Sequence, residues 1–368
     1  MIPPKKSWSP PKNGLPTPTM WGTFFLVNGP FCEQFGNSVL YLWRLFATLY
    51  RLRIRILMAI KNTLVIGGAG YIGSCLARVL VEMGREVTLL GRKIIPEYSL
   101  PPEARYVAGD FGDMGVILPL LDQHQEVVHL AHSTIPGTAA TNPFADLMQN
   151  LPPAVRLFEE IAKRNGRLVL VSSGGTVYGE ASALPVSERH ATQPISAYGL
   201  VKLTLENYAR LYAGTDGLQY VCVRPANAFG AGQRVSSGQG FISAAIANVM
   251  RSEPVTIFGD CGTVRDYIYV SDVAHGIACA LESGHPSETY NLGSGVGRSN
   301  MDVVKMMVPL LEQMGFGVNI RHLPERSFDV RVNILDSTKI QNHTGWQPKI
   351  DFAVGLKLTA DRLKALHG

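Results

Sequence analysis

A glycine-rich stretch between a short β-branched run and a helical pattern constrains this chain more than any other feature. Thr63-Leu64-Val65-Ile66 runs into Gly67-Gly68-Ala69-Gly70-Tyr71-Ile72-Gly73, and Leu76, Ala77, Val79 and Leu80 follow at helical spacing. A chain that passes from a buried strand straight into a helix must turn tightly there. Glycine permits the turn, lets a phosphate approach the backbone, and lets helix and strand pack closely, while the helix N-terminus faces the anion. By itself the spacing G-x-x-G-x-x-G is a weak signal. Its place between the first strand and the first helix makes it a dinucleotide-binding turn, with Gly67, Gly70, Tyr71, Ile72 and Gly73 as candidate contacts.

Downstream, short apolar runs alternate with helical patterns, which predicts a parallel sheet wrapped by helices. The predicted strands are Thr63–Ile66, Val87–Leu90, Arg105–Val107, Val127–Leu130, Leu168–Val171 and Tyr220–Val223. After about Pro225 the regularity weakens. The expected fold is therefore α/β: a Rossmann-type, doubly wound parallel sheet over residues 61–225, and a smaller C-terminal substrate-binding lobe over 226–368, with chain crossing between the two. At the end of the second strand, where an acidic residue usually holds the adenosine ribose, stand Gly91 and Arg92. Without that carboxylate nothing there repels a 2′-phosphate, so NAD and NADP both remain open as cofactors. Asp110-Phe111 is placed to meet the adenine edge, and Ala131 leaves space beside the cofactor.

The net charge of +5 suggests an anionic partner until it is located along the chain. Residues 1–60 carry seven Lys and Arg against Glu33 alone, so the rest of the chain has a net charge of −1 and offers no basic face for nucleic acid. Residues 1–60 read as a leader, disordered at its proline-rich start. Its apolar part, Ser38–Ile60, contains Arg44, Arg51, Arg53 and Arg55, whereas a membrane span needs roughly 20 residues with few charges. The preferred reading is an over-extended reading frame or added leader, with Met58 as the domain's start; a surface anchor and a targeting segment are the alternatives. Five scattered cysteines show neither metal spacing nor a disulfide framework, which points to the cytoplasm.

Tyr198 and Lys202 stand four residues apart, on one face of a predicted helix. A phenol near pKa 10 is a poor base at neutral pH, but an adjacent ammonium and an oxidised nicotinamide favour its phenolate. Upstream lies Val171-Ser172-Ser173-Gly174-Gly175-Thr176-Val177-Tyr178-Gly179. With Asn150, Arg224-Pro225-Ala226-Asn227-Ala228-Phe229-Gly230, Val264-Arg265-Asp266-Tyr267, Tyr290-Asn291-Leu292-Gly293 and Gly345-Trp346-Gln347-Pro348, the chain from Lys61 to Leu358 resembles the extended short-chain dehydrogenase/reductases. Within them it is similar to the NAD-dependent epimerase/dehydratase family, of the UDP-glucose 4-epimerase kind. The resemblance implies Tyr198 as general base, Lys202 supporting it and contacting the nicotinamide ribose, and Asn150 lying along the cofactor. It also implies that Asn227, Arg265 and Arg326 bind the nucleotide diphosphate, a role suited to guanidinium forks.

The sequence departs from that resemblance at one place. Where 4-epimerases usually carry a Ser or Thr, three residues before the Val of Val-Tyr-Gly, stands Gly174. If the segment is extended, Thr176 shares a face with position 174, so Thr176 is the preferred hydroxyl partner and Ser173 the second. Relatives that dehydrate or decarboxylate place carboxylates here, and Gly174-Gly175-Thr176 has none. The expected activity is therefore 4-epimerisation of a UDP-hexose or UDP-N-acetylhexosamine, through transient C4 oxidation with bound NAD. The alternatives are another nucleotide-sugar oxidoreductase or dehydratase of the same family, or a catalytically silent NAD(P)-binding sensor. The expected partners are the nucleotide sugar and a second copy of the chain, with no nucleic acid, no membrane span and no metal.

Overall fold

The structure is a computed structural model that describes residues 61–234, 240–325 and 330–367. The leader and Arg326 lie outside the described residues. In chain order the first half comprises β1 (Asn62–Ile66), α1 (Tyr71–Glu82), β2 (Glu86–Gly91), β3 (Arg105–Ala108), α2 (Met114–Leu121), β4 (Glu126–His129), α3 (Pro136–Thr141), α4 (Pro143–Lys163), β5 (Arg167–Val171) and α5 (Ala197–Thr215). Then come β6 (Gln219–Pro225), β7 (Asn227–Phe229), α6 (Phe241–Met250), β8 (Val255–Phe258), β9 (Val264–Tyr269), α7 (Val270–Ser283) and β10 (Glu288–Leu292). The last elements are β11 (Gly297–Ser299), α8 (Asn300–Gln313), β12 (Ile320–Leu323), β13 (Val332–Asn333), α9 (Thr338–Thr344) and α10 (Phe352–His367).

Seven strands form one sheet in the order β10-β6-β5-β4-β1-β2-β3, with every pairing parallel. All six predicted strands are in it. The seventh, β10, comes from far beyond Pro225 and pairs with β6, a return of the chain that alternation over residues 61–225 does not contain. Strand residues alternate between two cores. Leu64 and Ile66 face a cluster with Ile117 of α2, Leu157 and Phe158 of α4, and Leu205 of α5. Val65 faces the other way, with Leu76 and Leu80 of α1 and Ile277 and Leu281 of α7. Each such buried aliphatic side chain contributes roughly 1.5–3 kcal/mol. Both faces are covered, as a parallel sheet requires.

A third core joins Ile242 and Ile246 of α6, Val303 and Met307 of α8, Leu356 and Leu363 of α10, and Phe229 and Tyr267 from the β7–β9 pair. This core is built mainly from elements outside the seven-stranded sheet.

Candidate active site

The glycine turn is built for close approach. Gly67 adopts φ +85°, and a Cβ on Gly73 would lie 2.4 Å from the Gly67 carbonyl oxygen and 2.7 Å from the Gly68 Cα. No side chain caps α1 at Gly70, so its first-turn N–H groups are left for another acceptor. Gly67, Gly70, Arg92, Phe111 and Ala131 line a cavity of about 280 Å³ beside them. This cradle fits the pyrophosphate and adenosine of NAD. The missing acid at position 91 has a steric reason: a Cβ there would lie 2.9 Å from the Tyr106 hydroxyl and 3.0 Å from the Ala69 Cβ. Asp110 does not line the cavity; its carboxylate accepts from the Gly112 N–H at 2.8 Å.

A larger cavity of about 750 Å³ adjoins the first and shares Leu130 and His132 with it. Tyr71 and Ile72 line this larger cavity, whereas Gly73 is buried against the turn. Tyr198 and Lys202 are brought to its wall by α5, whose N-cap Ser196 accepts from the Gly199 N–H at 3.2 Å. The buried Lys202 donates to the Val171 carbonyl at 3.0 Å, and its Nζ lies 5.8 Å from the centre of the Tyr198 ring. Burial lowers the Lys202 pKa to about 8. Burial, and after it the negative charge of Asp146, push Tyr198 above its ordinary value. The expectation that the ammonium depresses the phenol is therefore corrected for the protein alone: desolvation of a phenolate outweighs a cation already engaged with a backbone carbonyl.

Ser173 and Thr176 both line the cavity, but not for the reason of alternating faces. The segment is a turn, with the Thr176 and Val177 N–H groups both donating to the Ser173 carbonyl, at 3.3 and 3.2 Å. The turn brings both residues to one wall. The Thr176 hydroxyl is buried and without a hydrogen-bond partner among the described residues, whereas a Cβ on Gly174 would meet the Leu335 Cδ1 at 2.4 Å. A Ser or Thr at position 174 has no room.

Asn150 lines neither cavity. It is buried, donates to the Asp146 carbonyl at 2.7 Å and accepts from the Ser133 N–H at 2.6 Å, which ties the exit of β4 to α4. The residue that does stand there is His132, absent from every sequence motif above. Its ring packs edge-on against Tyr198, with centroids 4.6 Å apart, and its Nε2 faces Asp146 Oδ1 at 3.0 Å. The carboxyl end of a central strand, where open α/β sheets bind ligands, is the sequence signal that marks it.

On the far wall, β7 and β9 present Asn227 and Arg265 to the larger cavity, with Arg265 Nη1 donating to the Val264 carbonyl at 3.0 Å. Other motif residues serve the frame. Asp266 is fully buried and accepts from the Ser294 N–H and hydroxyl at 2.8 and 2.6 Å and from Leu335 N–H at 3.2 Å. Arg224 pairs with Glu206 at 2.6 Å and donates to Tyr178 at 2.8 Å. The Trp346 ring N–H donates to the Asp272 carbonyl at 3.0 Å. No group of three His, Cys, Asp or Glu among the described residues is arranged to hold a metal ion.

Residues 63–293 match the NAD dependent epimerase/dehydratase family. The putative UDP-glucose 4-epimerase of Methanocaldococcus jannaschii is 32% identical over 304 residues, which is 82% of this chain and 98% of that protein. Among solved structures, the UDP-glucose 4-epimerase of Thermotoga maritima with UDP-glucose superposes with a TM-score of 0.78 at 32% identity, covering 83% of this chain and 100% of the other. The Thermus thermophilus UDP-glucose 4-epimerase in complex with NAD gives 0.76 at 30% identity, over 82% and 99%.

Proposed function

Because the chain belongs to the NAD dependent epimerase/dehydratase family, we propose that it is an NAD-dependent nucleotide-sugar 4-epimerase in which Tyr198 is the base. The observation that carries this reading is the composition of the larger cavity. Its described walls hold three phenols, Tyr198 among them, the Lys202 ammonium, the Arg265 guanidinium, the His132 imidazole and four Ser or Thr hydroxyls, and no carboxylate. Dehydration or decarboxylation of the sugar needs further acid–base groups beside the ring, whereas epimerisation needs a single base and space for the keto sugar to turn.

In this mechanism Thr176, with its unpartnered hydroxyl, hydrogen-bonds the C4 oxygen, with Ser173 second. Tyr198 takes the hydroxyl proton as the ketone forms and returns it when the alcohol is remade. NAD, when bound, supplies reversible oxidation at C4 and a positive charge beside the phenol. Lys202, whose ammonium donates to the Val171 carbonyl, would bind the nicotinamide ribose when the cofactor is present. Gly67, Gly70, Phe111 and Ala131 cradle the dinucleotide, and Asn227, Arg265 and Arg326 hold the nucleotide diphosphate, leaving the sugar free to rotate. Residues 61–225 supply most of the cofactor side and 226–368 most of the substrate side.

The protein works as a homodimer in the cytoplasm. Phe144, Leu147 and Met148 on α4 and Leu200 and Leu211 on α5 are exposed, an apolar face on two adjacent helices that supports pairing with a second copy. The free thiols of Cys75, Cys222, Cys261 and Cys279 fit a reducing compartment, and among the described residues no helix is long and apolar enough to cross a membrane. Incubating the purified protein with a panel of UDP-, dTDP- and GDP-hexoses and following anomeric proton signals by NMR tests the activity. A mixture of 4-epimers is expected from a UDP-sugar; no epimer from any of them would refute the reading.

A further inference from the structure

His132 and Asp146 belong to none of the roles assigned above, yet their place is expensive to maintain. Their side chains are 5% and 0% exposed, and a buried carboxylate is retained only with donors around it. Asp146 Oδ1 collects three: His132 Nε2 at 3.0 Å, Asn150 Nδ2 at 3.2 Å and the Thr134 hydroxyl. Asp146 lies in the first turn of α4, where its charge also suits the helix dipole. A carboxylate only accepts, so the imidazole must carry its proton on Nε2, and its tautomer and ring plane are fixed. The ring held in this way stands at the junction of the two cavities and meets the Tyr198 ring at 69°.

We propose that His132, tethered by Asp146, is a positioning residue for Tyr198: the imidazole is the wall that holds the phenol at the reacting hydroxyl. The inference rests on the epimerase reading above. Proton transfer requires the phenol oxygen within hydrogen-bond reach of the sugar hydroxyl, and Tyr198 sits in the first turn of α5 with the larger cavity on its open side. Without the imidazole, the ring has space to swing toward the β4 exit. The titratable groups that act on His132 are Lys202 of α5 and His129 at the end of β4, and Asp146 acts on Tyr198; Glu206 of α5 and Cys222 of β6 act in turn on Lys202. Burial and the Lys202 charge lower the His132 pKa to about 2, so the wall stays neutral throughout the working range. Asp146 is the charge that makes the phenol hold its proton more tightly.

Crystal structures and kinetics of wild type, His132→Ala and His132→Phe test the proposal. In His132→Ala the Tyr198 ring is expected in a second rotamer, with kcat lowered at least about tenfold and with NAD affinity and substrate KM nearly unchanged. His132→Phe restores a wall of similar shape, so it should return the ring to one position and recover most of kcat. Asp146→Asn removes the charge, and the acid limb of its kcat–pH profile should move to lower pH. A Tyr198 ring that stays in place in His132→Ala would overturn the proposal whatever the activity. So would a loss seen only in KM or in NAD affinity, which would make His132 a ligand contact. If the ring moves as expected but wild type forms no 4-epimer, the positioning stands and the epimerase reading fails.

Discussion

Tyr198 and Lys202 illustrate how one site asks two residues to carry opposite electrostatic costs. Burial raises the phenol and lowers the ammonium to about 8, so each charged form costs more in the protein alone than in water, while Lys202 still keeps its proton at neutral pH. Replacing Tyr198 by Phe keeps the ring against His132 and removes only the proton acceptor; turnover should fall by at least about 10³-fold, given what general bases contribute, while NAD titration by calorimetry stays near wild type. Lys202→Met should also abolish turnover and should weaken NAD binding. Its effect on stability has a definite sign. Between about pH 8 and the ordinary 10.5 the unfolded chain holds the Lys202 proton and the folded chain does not, so burial of the ammonium costs stability below about pH 8, and that cost fades as the pH rises toward 10.5. At pH 7 the Met variant should therefore melt no lower than wild type in scanning calorimetry, and activity in the parent protein should decline as the pH rises through about 8.

Between elements, a buried polar network holds the catalytic helix to the sheet. Glu206 of α5 receives Arg224 of β6 through Nε at 3.0 Å and Nη2 at 2.6 Å, together with the Ser172 hydroxyl at the end of β5. Arg224 continues to Tyr178 at 2.8 Å, and Tyr178 donates to Asn291 of β10 at 2.7 Å. One carboxylate thus connects α5 with three neighbouring strands. Glu206→Ala would strand a guanidinium whose side chain is 7% exposed, a loss of about 3–5 kcal/mol, measurable as a lower urea midpoint. Glu206→Gln keeps part of the hydrogen bonding and should lose less. The Arg-Pro-Ala-Asn segment therefore divides its work: Arg224 holds the frame, and Asn227, three residues on, reaches the cavity wall.

For the whole molecule, the exposed apolar residues of α4 and α5 form a face on two adjacent helices among the described residues. Phe144 is 74% exposed and Leu200 57%, and Phe144, Leu147 and Met148 follow helical spacing at the start of α4. Sedimentation should give a dimer, and Phe144→Asp combined with Leu147→Glu should give a monomer of unchanged melting cooperativity. The double variant should leave NAD binding nearly intact, because Phe144 and Leu147 line neither cavity.

The residues of the sheet could be read from the chain because their cause is local. A β-branched run followed by a glycine turn and a helix means the same physics wherever it occurs, and Tyr198-x-x-x-Lys202 carries its geometry within one helix. The family followed from the order of such motifs. What the chain alone could not determine depends on contacts between residues far apart in sequence. Gly174 is glycine because Leu335 lies against it, and position 91 carries no acid because Tyr106 of the neighbouring strand fills the space. Ser173 and Thr176 share a wall because their segment turns instead of extending. His132 carried no motif, since its meaning comes from Asp146 and Tyr198, 14 and 66 residues away. Only packing brings a buried acid, an imidazole and a phenol into line, and no periodicity in the chain records that.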